Sequence, residues 1–177
     1  ENYDAKLAAK RLVRYWKERI KRFGEKAFLP LTFNGTLEGY KGTQEAIETG
    51  YLRLLPGVKD PLGRSVILSD QSRIDLSKYS RKDMVRAFWY VMHSALEQES
   101  TLQNGIAFLC NPQKAPEMNE FNRRVSKQNI TSIKHALPIH FVAFRTNLTY
   151  LEFTQKHLDS KVSGGLVLDP KRWLDEQ

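Results

Sequence analysis

Asp60-Pro61-Leu62-Gly63-Arg64 runs straight into Ser65-Val66-Ile67-Leu68, and this passage decides the fold. Proline fixes φ in the turn and glycine supplies conformational freedom there. The run behind it has the length and apolar character of a buried strand, residues 65–69. Working outward, residues 81–99 read as the clearest helix of the chain. Ser80 is its N-cap, Asp83 stands three residues later as in a capping box, and Met84-Val85, Phe88, Val91-Met92 and Ala95-Leu96 make a wide apolar stripe. Gly105-Ile106-Ala107-Phe108-Leu109 is apolar throughout, the pattern of a central strand. Further on, residues 117–132 read as a helix, 137–144 as a third strand and 150–158 as a helix. Gly164-Gly165 breaks that helix, Leu166-Val167-Leu168 makes a last short strand, and Asp169-Pro170 opens a terminal helical turn with Trp173. Strands alternating with helices predict an α/β fold with a mixed, largely parallel sheet covered by helices.

Upstream of the turn the chain reads as helical. Residues 4–23 form a helix with Asp4 as N-cap and Gly24 just past its end. Leu7, Leu12, Tyr15, Trp16, Ile20 and Phe23 make a loose amphipathic stripe, expected to pack on the domain. The other face holds a basic cluster of Lys10, Arg11, Arg14, Lys17, Arg19, Lys21 and Arg22, which suits a membrane surface or a partner helix. Phe28-Leu29-Pro30-Leu31-Thr32 carries a central proline and reads as a loop or edge segment. Thr43 is expected to cap a second helix running through Gln44, Ala46, Ile47, Tyr51 and Leu54-Leu55, ended by Pro56-Gly57. The chain thus divides into an N-terminal helical region, 1–58, and an α/β domain, 59–177, within a single globular unit.

Composition fits an ordinary globular protein. Of 177 residues, 41% are hydrophobic and 27% charged, enough for a core without disulfides or metal. The longest apolar runs are far too short to span a bilayer. Glu1-Asn2-Tyr3-Asp4 is polar and acidic, unlike a secretory leader, and the start without Met marks an excised or processed piece. A single cysteine, Cys110, fits a reducing, cytoplasmic setting and reads as packing at the end of a strand. The net charge of +8 favours anionic partners: phospholipid headgroups, a membrane surface or nucleic acid.

The signatures of catalysis are missing. No GxGxxG or GxxxxGK[ST] phosphate loop and no Gly-x-Ser-x-Gly elbow occurs. His93, His135, His140 and His157 form no metal-ligand spacing, so no metal and no cofactor is expected. Asp70 ends the first predicted strand without a partner carboxylate and is expected to cap the turn Asp70-Gln71-Ser72. The basic charge admits nucleic acid, but no RNP strand, zinc knuckle or helix-turn-helix accompanies it.

The order of landmarks carries a resemblance. A basic helix precedes Gly50-Tyr51-Leu52-Arg53-Leu54-Leu55-Pro56. Then come the D-x-x-G-R-x-V turn at 60–66, the G-I-x-F-L strand at 105–109 and Leu137-Pro138-Ile139-His140-Phe141-Val142. Across residues 5–147 the chain resembles the CRAL-TRIO lipid-binding domain, the fold of the retinaldehyde, tocopherol and phosphatidylinositol transfer proteins. The resemblance implies a mixed sheet flooring an apolar cavity and no catalysis. It departs from the family where an acidic-basic pair after the proline is replaced by Ile139-His140, where Asn111 stands for the usual aspartate, and where the tail after Asn147 is compressed. Inositol-headgroup binding is therefore not carried over.

The sequence reading is a non-enzymatic protein that binds a hydrophobic lipid and transfers or presents it at membranes. The expected ligand-facing side chains are Val66, Leu68, Phe88, Met92, Phe108 and Phe141. Arg14, Lys17 and Lys21 are the expected contacts to an anionic membrane surface. The alternative is a protein-interaction or signalling module with the same fold and a vestigial pocket.

Overall fold

The computed structural model describes residues 4–111, 131, 136, 137 and 139–145. In chain order its elements are α1 (Ala5–Phe23), α2 (Lys41–Glu48), β1 (Leu52–Lys59), β2 (Ser65–Asp70), α3 (Arg81–Leu96), α4 (Glu99–Asn104), β3 (Ile106–Asn111) and β4 (Phe141–Arg145). The strands lie in the order β1-β2-β3-β4. β1 and β2 form an antiparallel hairpin, whereas β2–β3 and β3–β4 pair in parallel. The sheet is mixed and helices pack against it, which makes the fold α/β. β2 is buried at every residue but Ser69, which is why Val66-Ile67-Leu68 reads as an unbroken apolar run.

The turn at residue 60 is built around one carboxylate. Asp60 Oδ1 accepts the amides of Leu62 at 3.0 Å and Arg64 at 2.9 Å, and Oδ2 receives Arg64 Nε at 2.6 Å. The two side chains are only 4% and 12% exposed, so Arg64 is a tie within the turn. On leaving it, Ser65 N donates to Gly105 O at 3.2 Å and Ile106 N donates to His140 O at 2.9 Å. Gly105 has φ +90°, and a Cβ there would sit 2.2 Å from the His140 carbonyl oxygen. Only glycine lets β2, β3 and the start of β4 come together at that point.

The helices form as their caps dictate. Asp4 Oδ1 accepts Leu7 N at 3.0 Å, and Ser80 and Asp83 complete a reciprocal capping box on α3. Asp70 caps the 3₁₀ turn Gln71–Arg73, taking Ser72 N at 3.1 Å. One apolar cluster joins Phe23, Ala46, Tyr51, Ile67, Trp89 and Phe108. Within it Tyr51 OH donates to Met84 O at 2.8 Å, and burial pushes the phenol above its ordinary value, so it remains a donor.

Several expectations need correction. The second helix ends at Glu48, and residues 52–59, expected partly as helix, are strand β1. Leu52 pairs with Ser69 and Leu54 with Ile67, and the register then shifts before Lys59. Pro56 and Gly57 occupy this bulge, and Gly57 takes φ +74°. A division at 58/59 therefore falls inside a strand. Thr43 does not cap α2; it is buried and donates to Asp83 Oδ1 at 3.0 Å. The helix at 81–99 stops at Leu96 and resumes as α4, and β4 begins only at Phe141. The expected elements at 150–158, 166–168 and around Trp173, and nearly all of 117–132, lie outside the described residues.

The Asp60 turn yields the first prediction. Asp60→Ala strands a nearly closed guanidinium and frees two amides, and should cost about 3 kcal/mol of stability. Leu62→Ala at the exposed tip should cost no more than about 0.5 kcal/mol. Urea unfolding of the two variants checks both values.

Candidate functional site

Register decides which side chains share a surface. In the β2–β3 ladder Val66 pairs with Ala107, Ile67 with Phe108 and Leu68 with Leu109. Partners in register point to one side and alternate residues to opposite sides. The Phe108 ring stacks on Phe88 of α3, with centroids 5.7 Å apart and planes 6° apart. Ile67 and Phe108 therefore face the helical layer. Val66, Leu68, Ala107 and Leu109 face the other way, and all four are buried.

This geometry separates the six side chains expected to meet a ligand. Phe88, Met92 and Phe108 lie together on the α3 side, where Met92 and Phe108 belong to the core and Phe88 packs against it. Val66 and Leu68 lie on the far side. The backbone of Phe141 pairs with Ile106, and its side chain lies outside the described residues. The far face adds Ala107 and Leu109, which sequence reasoning missed. Their signal was period-two alternation read across two registered strands rather than along one.

One cluster brings a lysine to serine hydroxyls. Lys59 Nζ donates to Ser65 Oγ at 2.7 Å, Gln98 Oε1 at 2.6 Å and Ser100 Oγ at 2.5 Å. Desolvation holds the ammonium below its ordinary value. Ser65 Oγ also lies 2.5 Å from Thr101 Oγ1, and Ser65 is 1% exposed. The set has a single titratable group and ties the β1–β2 end to the α3–α4 junction. Among the described residues no group of three or more His, Cys, Asp or Glu side chains is placed to hold a metal ion.

Helix α1 is held to α3 by a polar relay. His93 Nδ1 donates to Trp89 O at 2.8 Å, which leaves Nε2 to accept Tyr15 OH at 3.0 Å. Tyr15 OH in turn accepts from Arg19, which also donates to Leu29 O at 2.5 Å. Arg19 is buried, whereas Leu7, Leu12 and Ile20 are exposed. The expected inward stripe is thus only partly inward: Tyr15 and Phe23 face the body, Trp16 is half-buried, and the rest face out. Spacings of five carry the pattern around the helix by about 140° at each step. Arg14, Lys17 and Lys21 are exposed on one face of α1.

Among the described residues no helix is long and apolar enough to cross a membrane. A scan against protein-family models finds no match, and a search of curated proteins finds no relative.

The relay makes stability depend on pH. Burial, assisted by the charge of Arg19 and opposed by the Trp89 carbonyl, lowers the His93 pKa below its ordinary value. The unfolded chain thus takes up a proton more readily than the folded one, and stability falls with pH below about 6.5. Urea midpoints should drop between about pH 7.5 and pH 5.5, and His93→Gln should flatten that dependence. An equal slope in wild type and variant would assign it to other groups.

Proposed function

We propose that the protein binds an apolar lipid against the far face of the sheet and presents it at membranes, acting as a carrier of CRAL-TRIO-like type. The observation that carries this reading is the buried row Val66, Ala107, Leu68 and Leu109, turned away from the helical layer. Apolar side chains on that surface suit an acyl chain, which gains roughly 0.8 kcal/mol for each buried CH₂. No reactive group is needed for such a task. The arrangement of an antiparallel hairpin followed by parallel strands supports the same reading, together with the D-x-x-G-R-x-V turn and the G-I-x-F-L strand.

Solvent extraction and mass spectrometry of the purified protein test it. Bound lipid should be recovered, or taken up from vesicles by protein stripped of it. Ala107→Phe places a ring on the far face and should reduce that uptake several-fold. Phe88→Ala should instead cost about 2 kcal/mol of stability, with uptake per folded molecule preserved. Preparations that carry no lipid and acquire none would sink the carrier reading and favour a protein-interaction role.

A further inference from the structure

The outer surface of α1 is built in the wrong sense for a helix that only packs. Its inward side carries Arg19, Arg22 and Tyr15, all engaged in hydrogen bonds. Its outward side carries Leu12, Val13 and Ile20, which are 58%, 55% and 45% exposed. At about 100° per residue these three fall with half-buried Trp16 in an arc of roughly 100°. The Phe28 ring, 68% exposed, stacks on Trp16 with centroids 5.2 Å apart and planes at 23°. Leu29 follows it and is 43% exposed. Aromatic and aliphatic side chains from two elements thus form one continuous strip that contributes little to the core.

Charge sits on one shoulder of that strip. Lys6, Lys10, Arg14, Lys17 and Lys21 occupy the next arc of roughly 80°, and all are exposed. Lys6, Lys10, Lys17 and Lys21 make no ion pair with a described residue. A shallow groove lined by Lys6, Ala9, Lys10, Val13, Arg14 and Lys17 marks the border between the arcs. The occupant must therefore offer apolar depth beside a plane of negative charge.

We infer that this surface docks on an anionic phospholipid bilayer, with Leu12, Val13, Ile20, Phe28 and Leu29 entering the acyl boundary and the cations lying at headgroup level. An interfacial helix needs these two components side by side, and the Trp16 ring beside Phe28 suits the headgroup boundary. The inference deepens the membrane part of the carrier reading. It is independent of the sheet's far face, so vesicle docking and lipid uptake fail separately.

Flotation with phosphatidylcholine vesicles, with and without phosphatidylserine, tests it on the full chain. The wild type should float with the anionic vesicles. Lys10→Gln, Lys17→Gln and Lys21→Gln together should lower partitioning about a hundredfold, each cation near the surface contributing roughly fivefold. Ile20→Gln with Phe28→Gln should lower it at least tenfold while leaving the urea midpoint and the lipid recovered by solvent extraction unchanged, because both side chains are exposed. Quenching of tryptophan fluorescence by brominated acyl chains should weaken in Trp16→Phe. Flotation unaffected by the Ile20 and Phe28 changes would overturn the inference. So would a wild type that fails to float but self-associates through this strip, with the same double variant monomeric.

Discussion

The Asp60 carboxylate and the Arg64 guanidinium meet in a turn that gives neither much water. Two charges withdrawn from solvent are tolerated only when they pair and their remaining hydrogen-bond positions are filled. Here the amides of Leu62 and Arg64 fill them. The closed turn delivers Ser65 to one register, opposite Lys59 on one side and Ile106 on the other. A slip of one residue would exchange the two faces of β2. Ser65 would then leave the Lys59 ammonium, the Gln98 amide and the Thr101 hydroxyl it now meets, and Ile67 would leave the core.

Features written in short-range chemistry were legible in the sequence. Asp4 before α1, the Ser80–Asp83 box and the Asp70 turn each need residues within three positions of one another, and each stands where it was expected. Strand β1 was not legible, because Pro56-Gly57 ends helices more often than it bulges strands. An edge position tolerates the missing amide donor, and the hairpin partner, not local propensity, holds Leu52 and Leu54 extended. The candidate site was half legible. Val66, Leu68 and Phe108 were identifiable as buried apolar residues, but the side of the sheet each takes follows from pairing with a strand some forty residues away.

Helix α1 shows the same limit in another form. Its apolar residues suggested a stripe that packs inward, yet the inward side is closed by Arg19, Tyr15 and His93. Burying an arginine costs free energy unless its donors are satisfied; Tyr15 OH, Leu29 O and Thr36 Oγ1 take up its terminal nitrogens, while Nε is left without a partner among the described residues. Tyr15 and Trp16 also stand against the guanidinium at 5.7 and 5.6 Å. A helix anchored in this way by hydrogen bonds and two aromatic contacts leaves its aliphatic residues available to something else.

That arrangement constrains how docking and carriage can be combined. Tyr15 lies 5.8 Å from Trp89 between ring centroids, so α1 rests on the α3 layer, the side of the sheet that Ile67 and Phe108 face. Val66, Leu68, Ala107 and Leu109 face the opposite side. A bilayer met by Leu12, Ile20 and Phe28 is thus separated from the far-face row by α3 and the sheet itself. On the proposed docking, α1 would be a tether rather than a portal: it would set residence time at the surface, and lipid exchange would proceed through a different edge of the molecule. In that proposal charge on α1 would tune how long the protein stays, while the row on β2 and β3 would govern what it carries.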